Sequence, residues 1–180
     1  MIEIRLLSKE DDRSSFECGE ASLDLYFRQY AGQNQFKHYI GTTYVALHEG
    51  KIVGYASVSP GSIRIDDPVN IDTRKLPKYP LPVLRLTRLA VDTHYQKNGI
   101  GKSLLKFILK LTLLQKKQFG CFGLVVDAKM QSIGFYEQFG FVPFNIEAGA
   151  LDIRPYAQSM FLSTKTIERV ADQTDKKDNH

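Results

Sequence analysis

The sequence lacks the usual features of membrane, metal-binding and disulfide-rich proteins. It has no tryptophan and two cysteines, Cys18 and Cys121, which form no CxxC pair. Its four histidines form no HxxxH or HExxH pattern, so no metal site is predicted. No apolar run approaches the roughly 18 residues of a membrane span, and the N-terminus turns acidic too early for a signal peptide. We therefore expect a cytoplasmic protein with two reduced thiols and no membrane partner.

The overall composition is that of a globular protein. Of 180 residues, 43% are hydrophobic and 24% are charged, and a chain of this length buries enough surface to form its own core. Its 24 Lys and Arg residues exceed its 20 Asp and Glu residues, for a net charge of +4. This mild excess permits a polyanionic ligand without demanding one. We predict one domain over residues 1–162, and a polar tail over 163–180 that is a frayed helix or disordered.

Hydrophobic periodicity predicts both strands and helices. Alternating or continuous apolar runs predict strands at about 1–6, 42–48, 52–59, 83–91, 121–127, 141–144 and 158–162. Apolar residues at helical spacing predict helices at about 20–33, 99–119 and 131–139. Between them, the stretch from Pro60 to Pro82 holds five of the seven prolines and, after a short extension through Ile65, predicts a long irregular loop, a kind that is often functional. The order predicts an α/β (α+β) fold with a mixed sheet, antiparallel at first and partly parallel later.

A glycine-bearing turn is the most informative segment. Residues 96–103 read QKNGIGKS and stand between a predicted strand and a long predicted helix. Such a turn directs free backbone N–H groups toward a phosphate or pyrophosphate, and Gly99 and Gly101 let the anion approach closely. One alternative is a turn with only a structural role. A P-loop is another, although Gln96 stands where its first glycine belongs, and no GxGxxG dinucleotide fingerprint is present.

The same turn resembles the Q/R-x-x-G-x-G/A signature of the GNAT N-acetyltransferase superfamily. The resemblance implies a mostly antiparallel, twisted sheet with flanking helices, splayed between its fourth and fifth strands. It also implies that the turn binds the pyrophosphate of acetyl-CoA and that the preceding strand pairs with the pantetheine arm. The residues implied in cofactor binding are Leu89, Ala90, Val91, Gln96, Lys97, Asn98, Gly99, Ile100, Gly101 and Lys102.

A second segment supports this resemblance. Residues 132–141, SIGFYEQFGF, resemble the GNAT motif in which a helix carrying Phe-Tyr precedes Gly-Phe. The resemblance implies that Tyr136 protonates the departing thiolate, with Ser132 and Phe135 beside the cofactor. A neutral phenol can donate a proton at pH 7, because its pKa is near 10. Tyr136 could instead be a core aromatic. No base is evident, because Glu49, Asp92 and Asp127 are typical strand-end or turn residues, and solvent can take the amine's proton.

The N-terminal part narrows the resemblance to one group of acetyltransferases. Residues 16–27, FECGEASLDLYF, and 86–92, LTRLAVD, are similar to segments of TacT-type toxins of toxin–antitoxin modules. The resemblance covers about residues 14–162. It implies acetylation of the α-amine of aminoacyl-tRNA, inhibition of translation, a ribbon-helix-helix antitoxin and a homodimer. Basic residues near an acceptor cleft would meet tRNA phosphates. The candidates are Arg28, Lys37, Arg64, Arg74, Lys75, Lys78, Arg88 and Lys97.

Two other functions remain open at this point. A GNAT enzyme could acetylate a small-molecule amine or a protein amine. A non-catalytic module could keep the fold and bind only coenzyme A or a partner.

Overall fold

The N-terminal strands form an antiparallel meander. In the computed structural model, which describes residues 1–64, 76–144 and 157–177, β1 (Ile2–Leu6) pairs with β2 (Thr42–His48), and β2 pairs with β3 (Lys51–Ile63). Ile4 lies opposite Ala46, and Val45 lies opposite Tyr55. The β2–β3 turn has Glu49 and Gly50 at positive φ, which suits a tight hairpin of twisted strands. The hairpin predicted from the two β-rich runs is therefore confirmed.

The remaining strands complete a mixed sheet of seven. These are β4 (Leu81–Val91), β5 (Gly123–Lys129), β6 (Val142–Pro143) and β7 (Ala157–Ser163). The strand order is β1-β2-β3-β4-β5-β7-β6, with β5–β7 and β6–β7 antiparallel and β4–β5 the one parallel pair among the described strands. This confirms the predicted mixed, mostly antiparallel α/β fold. The splay between the fourth and fifth strands stays a prediction.

Five α-helices accompany the sheet in the described part of the chain. A helical segment joins α1 (Ala21–Leu25), a π-helical turn (Tyr26–Tyr30) and α2 (Ala31–Phe36), while α3 (Ile100–Phe119) and α4 (Ile133–Glu137) follow β4 and β5. The last helix is α5 (Thr164–Lys177). It covers the predicted polar tail, where Ile167 is only 5% exposed. Of the two alternatives stated for the tail, the described part of α5 shows the helix.

The described chain divides into two compact units with a core each. The first consists of residues 1–59 and 86–110, and the second of residues 60–85 and those from 111 onward. In the first core the rings of Phe27 and Tyr55 stack 4.3 Å apart, with Phe16 edge-on to both. The second core gathers Ile63, Leu81, Val83, Val125 and Phe161.

Candidate active site

The turn between β4 and α3 exposes backbone amides at the start of a 20-residue helix. Lys97 has φ +64° and Gly99 has φ +79°, so the chain takes the left-handed conformation twice before the helix begins. The first amide bonded along the helix is that of Ser103, which donates to the Gly99 carbonyl at 3.0 Å. The amides of Ile100, Gly101 and Lys102 precede that bond and have no acceptor within the helix.

The helix start is held against the first core. Ile100 is 3% exposed, so its side chain packs inward and only its backbone can face a ligand at the turn. At Gly54 on β3, an added Cβ would lie 3.1 Å from the Ala90 carbonyl and 3.2 Å from Ile100. The missing side chain at Gly54 therefore lets the first turn of α3 approach the sheet closely.

The turn is braced by side chains of the same unit. The Gln96 amide nitrogen donates to the carbonyls of Cys18 at 2.9 Å and Val91 at 3.0 Å. Buried Asp92 caps the preceding 3-10 turn, because its Oδ1 accepts the His94 backbone amide at 3.0 Å. The resemblance implied that Gln96 binds the cofactor. The geometry shows that its side chain braces the turn.

The chemistry of the turn fits an anionic group such as a diphosphate. The first turn of α3 contains no acidic residue, and Lys97 and Lys102 are both exposed. An added Cβ at Gly99 would meet nothing within 4 Å, so the space in front of the turn is open. Unpaired amides at the positive end of a helix dipole, with two cations nearby, favour negative charge.

The residues at the end of the strand before the turn differ in how deeply they are buried. Ala90 is 6% exposed and belongs to the first core, whereas Leu89 and Val91 are half-buried. The amide of Asp92 donates to the Val53 carbonyl at 2.9 Å, which anchors the end of β4 to β3. Leu89 and Val91 are thus the more accessible of the three strand residues that the resemblance implied.

Tyr136 lies on α4 in the second unit and is 6% exposed. Its ring meets Phe135 at 5.1 Å and Phe141 at 5.4 Å, both edge-on, so the side chain is fixed by packing. Burial raises the pKa of the Tyr136 phenol above its usual value near 10. Among the described residues, no hydrogen bond involves its hydroxyl. Ser132 and Phe135 are half-buried on the same segment.

The carboxylates considered as bases have other contacts. Asp127 on β5 is paired with Arg85 at 3.0 Å and accepts the Ser159 hydroxyl at 2.8 Å. Asp92 is committed to the 3-10 turn, and Glu49 is exposed in the β2–β3 hairpin. Asp92 and Glu49 thus lie at a strand end and in a turn as expected, whereas Asp127 lies within β5, and these contacts single out no base among the three.

The candidate tRNA-binding cations have different surroundings. Arg28 donates from Nε to the Phe16 carbonyl at 2.9 Å, and the Arg88 guanidinium lies 3.6 Å from the centre of the Tyr26 ring. Both therefore help to hold the first unit together. Exposed side chains are found at Lys37, Arg64, Lys78 and Lys97. Arg74 and Lys75 lie outside the described residues.

Two polar clusters were missed at the level of sequence. One is Asp24 with the segment 17–19, and the other is Arg85 with Asp127 and Ser159. Asp24 carried a signal, because it is a polar residue next to the apolar positions of its helix. Arg85 carried none, since its partner Asp127 is 42 residues away in sequence.

Neither a membrane-spanning helix nor a metal site is found among the described residues. No described helix is long and apolar enough to cross a membrane. Likewise, residues 1–64, 76–144 and 157–177 contain no group of three side chains suited to hold a metal ion.

The strand, amide-exposing turn and helix, followed by a buried tyrosine on a short helix, define an acyl-group transferase. Residues 40–143 match the acetyltransferase (GNAT) domain family, and the chain belongs to that family. It is 34% identical over 140 residues to the tRNA-acetylating toxin of Mycobacterium tuberculosis, covering 76% of this chain and 82% of the relative.

Solved structures show the same fold. The toxin AtaT complexed with acetyl-methionyl-tRNAfMet is similar with a TM-score of 0.79 and 24% identity, over 94% of this chain and 99% of AtaT. A tyrosine-to-phenylalanine variant of AtaT, bound to the C-terminus of the antitoxin AtaR and acetyl-CoA, has a TM-score of 0.74 and 21% identity. That match covers 94% of this chain and 97% of the other.

Proposed function

We propose that this protein transfers the acetyl group of acetyl-CoA to the α-amine of an aminoacyl-tRNA and thereby inhibits translation. The observation that carries the proposal is the turn at residues 96–102, which combines unpaired amides, open space and two exposed lysines at the start of a long helix. The chain's similarity to a tRNA-acetylating toxin directs this acetyltransferase chemistry to tRNA.

Acetyl-CoA fits the residues at the turn. The amides of Ile100, Gly101 and Lys102 would bind its pyrophosphate, and the exposed Lys97 and Lys102 side chains would add positive charge. Leu89 and Val91 on β4 would face the pantetheine arm. When bound, acetyl-CoA supplies the acetyl group as a thioester, a form that an amine can attack.

Tyr136 is the proposed general acid. Its raised pKa keeps the phenol protonated at neutral pH, and the packing of Phe135 and Phe141 fixes its ring. Proton donation to a leaving thiolate by a positioned side chain accelerates such reactions by about 10²–10⁴-fold. The attacking amine belongs to the substrate, so the protein needs no nucleophile of its own.

An anionic substrate requires a cationic surface. In the first unit Lys37 and Lys97 are exposed, and in the second unit Arg64 and Lys78 are exposed beside the proline-rich stretch. We propose that these side chains contact tRNA phosphates, with Arg74 and Lys75 as further candidates from the sequence. Arg28 and Arg88 are kept as weaker candidates because intramolecular contacts already use their guanidinium groups.

Mass spectrometry of charged tRNA, after incubation with the protein and acetyl-CoA, tests the function. We expect an acetylated aminoacyl-adenosine after nuclease digestion, from one or a few charged tRNAs. Uncharged tRNA is the matched control, because it offers no α-amine and should remain unmodified. If only peptides or small amines were acetylated, the enzyme would act on another acceptor. Binding of acetyl-CoA with no transfer to any amine would instead indicate a non-catalytic module.

Further proposals concern partners and location. We propose that an antitoxin of the ribbon-helix-helix type neutralises the protein, that the chain forms a homodimer, and that it acts in the cytoplasm. The similarity to AtaT, solved with the C-terminus of its antitoxin AtaR, supports an antitoxin partner. Co-expression with the gene product encoded next to it, followed by light scattering of the complex and of the free protein, measures both assemblies.

A further inference from the structure

A short N-terminal segment is bonded at two points to the chain between β4 and α3, which contains the turn at 96–102. The amide of Thr93 donates to the Glu17 carbonyl at 2.9 Å, and the Gln96 side chain donates to the Cys18 carbonyl at 2.9 Å. The second bond joins residues that are 78 positions apart in sequence. The segment approaches closely, since a Cβ added at Gly19 would lie 3.5 Å from Thr93.

A buried carboxylate holds this segment from its other side. Asp24 is 7% exposed, and its Oδ1 accepts the Cys18 backbone amide at 2.8 Å. Both backbone groups of Cys18 are therefore held, because Asp24 accepts its N–H and Gln96 donates to its carbonyl. Burial and the nearby Asp24 carboxylate also raise the pKa of the Cys18 thiol, to about 12, so this thiol stays neutral beside the carboxylate.

These hydrogen bonds connect Asp24, through Cys18 and Gln96, to the amides that would bind the cofactor. Gln96 also donates to the Val91 carbonyl, at 3.0 Å, which ties the end of β4 to the start of the turn. Residues 97–99 follow directly and include both left-handed positions that orient the helix start. The left-handed conformation is sparsely populated for a non-glycine residue, so Lys97 keeps it only where its surroundings fix it.

We propose that Asp24 is a positioning residue for coenzyme A binding, acting through the Cys18 backbone and the Gln96 side chain on the turn at 96–102. This inference rests on the proposed function, because it assumes that the turn binds coenzyme A. Asp24 touches no ligand in this scheme. It keeps the amides aimed at the pyrophosphate and leaves the chemical step to other groups.

Calorimetric titration with coenzyme A tests the proposal without any acceptor substrate. Asp24→Ala removes the acceptor for Cys18, and we expect the Kd for coenzyme A to rise about 3- to 10-fold. Asp24→Asn keeps an oxygen at the same place and should stay within about 2-fold of the wild type. Gln96→Glu has the same shape but loses both N–H donors, and should raise the Kd about 10-fold or more.

A double variant shows whether Asp24 and Gln96 act through one chain of hydrogen bonds or independently of each other. If Asp24 acts through Gln96, then Asp24→Ala combined with Gln96→Ala should weaken binding no more than Gln96→Ala alone. Kinetics add a second readout. We expect the KM for acetyl-CoA to rise with Asp24→Ala while kcat at saturating acetyl-CoA stays within about 2-fold.

Asp11→Ala is the matched control. Asp11 is also a carboxylate of the first unit that accepts a backbone amide, that of Ser8 at 2.7 Å, and it pairs with Arg5 rather than with the turn. We expect its Kd for coenzyme A to be unchanged. An unchanged Kd in Asp24→Ala, an equal loss in Asp11→Ala, or independent losses in the double variant would overturn the inference. Wild-type protein that binds no coenzyme A would overturn the proposed function as well.

Discussion

At the scale of single residues, burial decides which groups keep their protons. Tyr136 and Tyr55 are both buried tyrosines with raised pKa values, but their hydroxyls differ. The Tyr55 hydroxyl donates to the Leu23 carbonyl at 2.9 Å and is used within the first core. The Tyr136 hydroxyl has no such partner among the described residues. This difference supports the proposed role of Tyr136 as the proton donor.

Removing that hydroxyl should affect turnover much more than binding. We expect Tyr136→Phe to lower the rate of acetyl transfer about 10²–10⁴-fold, because the leaving thiolate loses its proton donor. The Kd for coenzyme A should be unchanged, because the ring and its contacts with Phe135 and Phe141 remain. Stopped-flow measurement of thiol release and calorimetry provide the two values.

Tyr44→Phe is the control for this substitution. Tyr44 is a half-buried tyrosine whose pKa is also raised by burial, and it packs on Phe107 at 4.8 Å. Its variant should turn over normally. Full turnover by Tyr136→Phe would show that another group or water protonates the thiolate.

At the scale of elements, the turn before α3 depends on backbone conformation. Gly99 has φ +79° and open space around its Cα, so an alanine there would be strained without any steric clash. Gly134 in α4 also has open space, but its φ is not in the left-handed range. Neither glycine is crowded, so a comparison of the two isolates the effect of backbone strain.

We expect opposite effects from the same substitution at these glycines. Gly99→Ala should lower the free energy of unfolding by about 1–2 kcal/mol, because an alanine is disfavoured at positive φ. Gly134→Ala should raise it by about 0.5–1 kcal/mol, because alanine is the better helix former. Urea denaturation gives both values. A loss at Gly134 equal to that at Gly99 would contradict the assignment to backbone strain.

Most elements could be predicted because their signals are local. The alternation in β1 and the spacing of Leu104, Leu105 and Ile108 in α3 are properties of neighbouring residues. The turn was also found from local signals, since its glycines sit between a strand and a helix. The packing of α5 was not predicted. Ile167 in this helix is only 5% exposed, although the segment is polar in composition.

The candidate site was predictable only in part, for the same reason. The sequence and the resemblance identified Tyr136 and residues 96–102, because each belongs to a continuous motif. They did not identify how Asp24, Cys18 and Gln96 connect, because single hydrogen bonds between distant residues leave no pattern. Arg28 was considered for its charge, whereas its bond to the Phe16 carbonyl depends on tertiary structure.

At the scale of the whole molecule, several buried acids resist ionisation. The pKa of Cys18 is raised to about 12 from an ordinary value near 9, and those of Tyr55 and Tyr136 are raised above 10. Below pH 9 the folded and unfolded chains hold the same protons on these groups. As the pH rises from 9 to 12, the unfolded chain releases its thiol proton while the folded chain keeps it.

We therefore expect the free energy of unfolding to fall as the pH rises above 9, with a steeper fall above 10 where the tyrosines contribute. Urea denaturation at pH 7, 9 and 10.5 measures the change. Cys18→Ala is the control, and it should reduce the loss between pH 9 and 10.5 because one linked proton is removed. Stability that did not change across this range would contradict the link between burial and ionisation.

The division of the chain into two units affects when the first unit can fold during synthesis. The first unit is made of residues 1–59 and 86–110, so its N-terminal stretch leaves the ribosome without the helix and strand end that complete it. The aromatic rings of Phe16, Phe27 and Tyr55 pack together in a core that also contains Ala90. A nascent chain released after residue 59 would therefore lack both a finished core and the turn at residues 96–102. Co-translational folding of this unit must wait until residues 86–110 have emerged.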